Sequence, residues 1–200
     1  MRKELILEVA YQKFAEKGYN IPLTEIAAAA GIKKQSIYNY FESKEELYFE
    51  VINIHVDKYF YEKQVEFYEL DHLSPAEQLK TIFMSIINYY SDTTRLRFWK
   101  WLLLSETANV IDRAQSSLKE HERQLENRVK EIVGKALGDN PEAETFCYPI
   151  VCSFMAMLHG TVDVTMIYHG DCDISKFAED VWSVFWGGIE SRFIKDQVAI

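Results

Sequence analysis

The chain has 200 residues, 48% of them hydrophobic and 14% aromatic, with 22 Lys or Arg against 31 Asp or Glu and a formal net charge of -9. That much apolar surface supports one or two domains with a substantial core and excludes a disordered chain. The longest mainly apolar stretches, Trp101–Leu104 and Pro149–Leu158, are short of the roughly 20 residues that cross a bilayer, and the charged start MRKELILEVAYQKF lacks the uninterrupted core of a signal peptide. A cytoplasmic protein without a membrane segment is therefore expected. Cys147, Cys152 and Cys172 are odd in number and form no CxxC pair, which predicts free thiols acting as small core hydrophobes and no metal site.

Helical periodicity runs through nearly the whole chain, and no alternating strand pattern with hairpin turns interrupts it. Ile6, Val9, Ala10 and Phe14 share one face of a first helix, which Gly18 would end as a left-handed cap. Pro22 marks a new start. Two short helices follow, through LTEIAAAA and QSIYNYF, separated by a break at Gly31. Ser43 and Glu46 form a capping-box signature for a long helix toward Phe67, and Ser74 with Glu77 repeats it ahead of Leu79, Ile82, Phe83, Ile86, Ile87 and Tyr90. Further helices are predicted over Arg95 to Glu106, Asp112 to Leu137, Pro141 to His169 and Ile174 to Ile194. The sum is an all-α fold of about nine helices.

Charge is unevenly spread. Residues 1–63 hold nine basic against ten acidic side chains, and the remainder 13 against 21, so the acidity belongs to the C-terminal part. From Thr24 to Lys44 the balance is three basic to two acidic, a locally positive stretch of the kind that meets phosphate.

The stretch LTEIAAAAGIKKQSIYNYF reads as two short helices crossing through a tight turn. Ala27 is small where the helices approach, Gly31 supplies the positive φ, and Ile26, Ala30, Ile32, Ile37 and Tyr40 are expected to form the shared core. This spacing fits a helix-turn-helix. An ordinary helical hairpin is the alternative on these two helices alone.

The flanks add to that reading. Phe14, Gly18 and Tyr19, then Ile26, Ala27, Ala30, Gly31 and Ile32, then Ile37, Tyr38, Tyr40, Phe41, Lys44 and Leu47 follow one another without a gap, and this pattern resembles the N-terminal signature of the TetR family of bacterial transcriptional regulators. The resemblance implies a three-helix DNA-binding domain over residues 1–46 and a larger helical effector-binding and dimerisation domain over 47–200. It further implies that the helix from Lys34 to Tyr40 enters the major groove, with Gln35 and Ser36 as base readers. Lys34 would reach guanine or a phosphate, and Tyr38 and Lys44 would hold phosphates without reading sequence. Thr24, Lys33, Asn39 and Tyr40 complete the expected DNA-facing set. Two positions depart from the family pattern: Pro22 and Lys33 stand where Ser or Thr commonly caps the second and third helices, and neither offers a side-chain oxygen. Thr24 is the substitute contact for the first.

DNA readers of this kind pair over a palindrome. The resemblance places the dimer interface on the last two helices, where Phe154, Thr161, Val164, Trp182, Phe185 and Ile189 are expected contacts and Gly160, Gly187 and Gly188 permit close approach. It also places an effector pocket among the central helices, for which Phe83, Tyr90, Phe98, Trp99, Trp101, Met155 and His159 are candidates; an aromatic stripe at helical spacing is more often plain core. No cofactor or metal is expected beyond an unknown small-molecule effector. His159 and Asp163, four apart, could share a polar ligand or a metal, and a helix-surface pair is the commoner explanation. The preferred reading is a homodimeric repressor on a palindromic operator in double-stranded DNA, released by a small molecule. The alternatives are a DNA-bound regulator governed by a protein partner and an all-α enzyme, the latter without a GxSxG, HExxH or phosphate-cradling loop in its support.

Overall fold

A computed structural model describes residues 2–104, 108–168 and 173–191, with only the backbone described for 108–114, Ser117 and Met166. Among the described residues every regular element is helical: α1 (Arg2–Lys17), α2 (Leu23–Ala29), α3 (Lys34–Ile37), α4 (Lys44–Ile52), α5 (Lys58–Glu69), α6 (Pro75–Tyr90), α7 (Thr93–Leu104), α8 (Ala108–Leu137), α9 (Ala143–Ile167) and α10 (Ile174–Ile189). A π turn, Asn53–Asp57, joins α4 to α5 without a break, so the two form the one long helix that the Ser43 signature announces. The expected helix ends at Glu106, His169 and Ile194, together with Cys172 and Phe193, lie outside the described residues.

The chain divides into two compact units, one of Met1–Lys63 with Thr93–His121 and one of Gln64–Asp92 with Glu122–Ile200. In the first, Ile6, Ala10 and Phe14 of α1, Ile26 and Ala27 of α2, Ile37 of α3, Phe41, and Leu47, Tyr48 and Val51 of α4 are all buried. Phe14 and Tyr19 each meet Tyr48 edge to face, with ring centroids 4.8 and 5.0 Å apart. Gly18 closes α1 at φ 72° and donates its N–H to Phe14 O at 2.8 Å, the expected left-handed cap. Gly31, at φ 66°, turns the chain between α2 and α3.

Ser43 caps α4 by accepting the Glu46 N–H at 3.1 Å, but the Glu46 carboxylate takes the N–H of Glu42 in place of that of Ser43, so the capping box is half formed. At Ser74 both halves are present. The π turn has no signal in the sequence. It carries His55 onto Tyr11 of α1, rings stacked at 3.7 Å and 2° apart. Burial, with Arg95 nearby and Glu8 opposing, holds the His55 imidazole below its ordinary 6.5. The unfolded chain then takes up this proton first, so the stability contribution is complete above pH 6.5 and is lost as pH falls below it. Thermal melts should show the midpoint dropping on acidification through that window, and His55→Phe should flatten the drop.

In the second unit α6, α9 and α10 pack mutually. Phe83 lies between Phe154, at 6.3 Å, and Trp182, at 6.2 Å, and Phe185 closes the cluster 5.9 Å from both. Arg128 of α8 is also buried here. One of its terminal nitrogens donates to Phe67 O at 2.9 Å, Asp71 Oδ1 at 2.8 Å and Gln78 Oε1 at 3.3 Å, and the other to Glu131 at 3.2 Å. Its guanidinium lies 4.7 Å from the Tyr68 ring.

Two expectations from the sequence are corrected. Tyr40 is not core: it is 37% exposed, because α3 ends at Ile37 and it is Phe41 that turns inward, its N–H bonded to Ile37 O at 3.1 Å. Cys147 is half-buried and Cys152 exposed, both free thiols on α9, so neither is a core hydrophobe. Helix α9 is, over Ala143–Thr165, long and apolar enough to cross a membrane by length and composition alone. Small residues and hydroxyls, Ala156, Gly160, Thr161 and Thr165, interrupt the apolar run less than short stretches of sequence suggest. Only a third of its most apolar window is buried.

Candidate nucleic-acid interface

The interface is built around one buried anchor. Ile37 is fully buried and fixes α3 against α2, while Lys33, Lys34, Gln35, Tyr38, Asn39 and Tyr40 around it are exposed and Ser36 half-buried. Lys33 opens α3 from an extended conformation at φ -79°, ψ 149°, and its main-chain carbonyl, not its side chain, closes the first turn by accepting the Ser36 N–H at 2.8 Å. The ammonium is left facing solvent. Pro22 likewise begins α2 without a side-chain cap, and Thr24 is exposed in the first turn that follows. Both missing caps inferred from the sequence are therefore real.

Charge at this face is positive, and three of the four carboxylates that flank it are engaged. No Asp or Glu occurs between Glu25 and Glu42. Glu25 is paired with Lys17, and Glu46 holds the Glu42 N–H. Glu45 accepts the Tyr19 hydroxyl at 2.6 Å, a bond that together with main-chain and Ser43 donors holds its carboxyl below the usual carboxylate range. Lys44 rests its ammonium 4.4 Å from the centroid of the same Tyr19 ring. Burial there lowers the Lys44 pKa, partly offset by Glu45. Burial and the Glu45 bond push the Tyr19 hydroxyl far up, so it stays a neutral donor. Lys44 is the first residue of α4, where free N–H groups and the positive end of the helix dipole favour the same anion that an ammonium does. The Tyr19–Lys44–Glu45 arrangement was not legible in the sequence beyond the presence of Tyr19 and Lys44 in the quoted pattern.

The effector candidates separate. Phe98, Trp99 and Trp101 belong to the first unit: Phe98 lies 5.0 Å from Tyr11, Trp99 5.5 Å from Phe60, and Trp101 against Gly18. Phe83, Tyr90, Met155 and His159 belong to the second, where Phe83 and Tyr90 are buried, Met155 half-buried, and His159 exposed with its Nε2 3.2 Å from Glu122. Of the expected dimer contacts, Phe154, Thr161, Trp182 and Ile189 are buried within the second unit and Val164 and Phe185 half-buried. The open side of α9 and α10 carries Tyr148, Ala156, Gly160, Ile167 and Val184, and a methyl group built on Gly160, Gly187 or Gly188 would meet nothing within 4 Å.

A short helix presenting polar and basic side chains around a single apolar anchor, crossed behind by a second helix and followed by a helix that Lys44 opens, has the arrangement of a helix-turn-helix. Residues 6–51 match the family described as "Bacterial regulatory proteins, tetR family". A 60-residue stretch is 43% identical to the HTH-type transcriptional regulator YuxN of Bacillus subtilis, itself uncharacterized; the match spans 30% of this chain and only about a fifth, 21%, of that relative. The fold as a whole is similar to that of solved regulators. FadR from Bacillus subtilis, in complex with stearoyl-CoA, superposes with a TM-score of 0.68 at 16% identity, covering 93% of this chain and 98% of that one. AibR, in complex with isovaleryl coenzyme A and operator DNA, gives 0.68 at 20% identity over 92% and 97%.

Proposed function

We propose that the chain is a sequence-specific DNA-binding transcriptional regulator, a homodimeric repressor of a palindromic operator that a small molecule releases. The observation that carries this reading is the carboxylate-free face of exposed Lys33, Lys34, Gln35 and Tyr38 and half-buried Ser36 around Ile37, set in a stretch that matches the TetR family. Residues 1–46 bind DNA, and residues 47–200 pair the protomers and take the effector. Pairing uses the open sides of α9 and α10, whose small residues let helices approach closely and whose apolar surface needs a cover. A second copy, not a bilayer, is that cover, and the protein works in the cytoplasm. Two similar folds hold acyl-coenzyme A thioesters, which makes such thioesters the effector class to try first. Release follows if the thioester binds more tightly to a state in which the two α3 helices no longer match successive major grooves about 34 Å apart. No catalytic role is assigned.

Nuclease footprinting of the purified protein on its own upstream region tests the reading: protection of a palindrome, weakened by salt, is expected, and its absence would overturn it. In the same assay Gln35→Ala should relax preference at one base pair per half-site by about 1–3 kcal/mol while leaving the others intact. An unchanged base preference would remove Gln35 as a reader. The rival reading, control by a protein partner, predicts no thermal shift with any acyl-coenzyme A, whereas a bound effector raises the melting point.

A further inference from the structure

We propose that Trp101 of α7 is a positioning residue for DNA binding: its indole wedges against Gly18 and so fixes Tyr19, the ring on which the Lys44 ammonium rests. The inference rests on the DNA-binding reading above.

The wedge is steric. A methyl group built on Gly18 would lie 2.8 Å from Trp101 Cε3 and 2.9 Å from Cδ2, closer than any real side-chain carbon is found. Gly31 has a nearly equal φ of 66° yet nothing within 4 Å of the same methyl position, so at Gly18 a close neighbour is added to the backbone requirement. The indole thus lies against the main chain at the corner where α1 ends. α7 is held there by Phe98, edge-on to Tyr11 at 5.0 Å, and by the Thr94 hydroxyl donating to Gln12 Oε1 at 3.4 Å.

The next residue is Tyr19. Its hydroxyl is bonded to Glu45 at 2.6 Å, its ring meets Tyr48 at 5.0 Å, and Lys44 lies 4.4 Å over its face. Glu45 and Lys44 open α4, so Tyr19 ties the α1 corner to the helix start that receives phosphate. Moving Gly18 moves Tyr19, and with it the platform under Lys44. Trp101 itself is 43% exposed, so its removal empties no core, and its effect falls on the position of Lys44 more than on folding.

The test uses the full chain and a labelled duplex pool that the wild-type protein selects from random-sequence duplexes of about 30 base pairs. Trp101→Ala should weaken binding by about tenfold and flatten the dependence of log K on log salt by about 0.9 for each phosphate that Lys44 no longer neutralises. Lys44→Ala should do the same, and the double variant should bind no worse than either alone, because both remove the same phosphate interaction. Trp101→Phe, which keeps a flat ring on Gly18, should restore the wild-type salt dependence. Where Trp101→Ala does not fold, as read by thermal unfolding, Trp101→Leu takes its place in the cycle. A wild-type chain that selects no duplex overturns the DNA-binding reading itself. A wild-type chain that binds, with an unchanged salt dependence in Trp101→Ala or with additive effects in the double variant, overturns the role of Trp101 alone.

Discussion

The double variant Lys33→Glu, Lys34→Glu is expected to weaken duplex binding by at least about a thousandfold at moderate salt, with its fold intact. Each protomer exchanges two exposed ammonium groups on the carboxylate-free face for two carboxylates, and a dimer thereby gives up as many as four phosphate interactions. At roughly 1 kcal/mol or more for each charge-assisted interaction, four of them give about 4 kcal/mol, which is about a factor of 1,000. Repulsion of the new carboxylates from phosphate adds to it. The dependence of log K on log salt should flatten by about 3 to 4, since each neutralised phosphate contributes about 0.9. Folding should move in the other direction or not at all. Both residues are exposed, neither side chain takes part in capping α3, and a carboxylate at a helix N-terminus is favourable with respect to the helix dipole. Fluorescence anisotropy over a salt series, beside a thermal melt of the same samples, separates the two effects. A variant that melts like the wild type and binds like it would place the DNA elsewhere on the molecule.

Arg128→Ala is expected to destabilise the second unit by about 2–3 kcal/mol, a change visible in chemical denaturation. Breaking a fully buried ion pair commonly costs about 3–5 kcal/mol because a charge is left without a partner in the interior. Here the carboxylates of Asp71 and Glu131 are about half exposed, at 54% and 52%, and water replaces the guanidinium for both. What stays buried and loses its donor is neutral: the Phe67 carbonyl near the end of α5 and the Gln78 side-chain oxygen. Gln78 keeps its own bond to Leu73 O at 2.8 Å, so one end of that amide remains satisfied. Arg128→Met should recover part of the stability by refilling the volume against Tyr68, which distinguishes packing from hydrogen bonding at this site. Neither variant should change the salt dependence of DNA binding.

Much of the first unit was readable because its constraints are local. Gly18 and Gly31 announce positive φ, Pro22 a helix start, Ser43 and Ser74 caps, and Ile26, Ala27 and Ile37 a tight crossing of short helices; each is a demand of a few consecutive residues on their own backbone. Tyr40 misled the reading because its helical spacing from Ile37 continues a helix that in fact stops there, and the inward position passes to Phe41. The π turn at Asn53–Asp57 was invisible for a related reason, since a helix that widens by one residue keeps an apolar pattern that still looks helical on either side. The dimer and effector candidates were the least legible. Phe83, Phe154 and Trp182 are apolar at helical spacing whether they fill the chain's own core or await a partner, and periodicity gives a helix its faces without saying what covers each.

The amino-acid sequence by itself determined that this chain is predominantly helical, that its acidity lies outside the first 63 residues, and that Thr24 to Lys44 form a locally basic stretch, because helix periodicity, caps and charge are properties of neighbours along the chain. Only the tertiary structure decided that Lys44 stands on the ring of Tyr19, that Trp101 of α7 covers Gly18, and that Arg128 secures the end of α5 from 61 residues away. These contacts join residues that the sequence separates by tens of positions, and what chooses each partner is the space left when helices pack, a quantity no local pattern encodes.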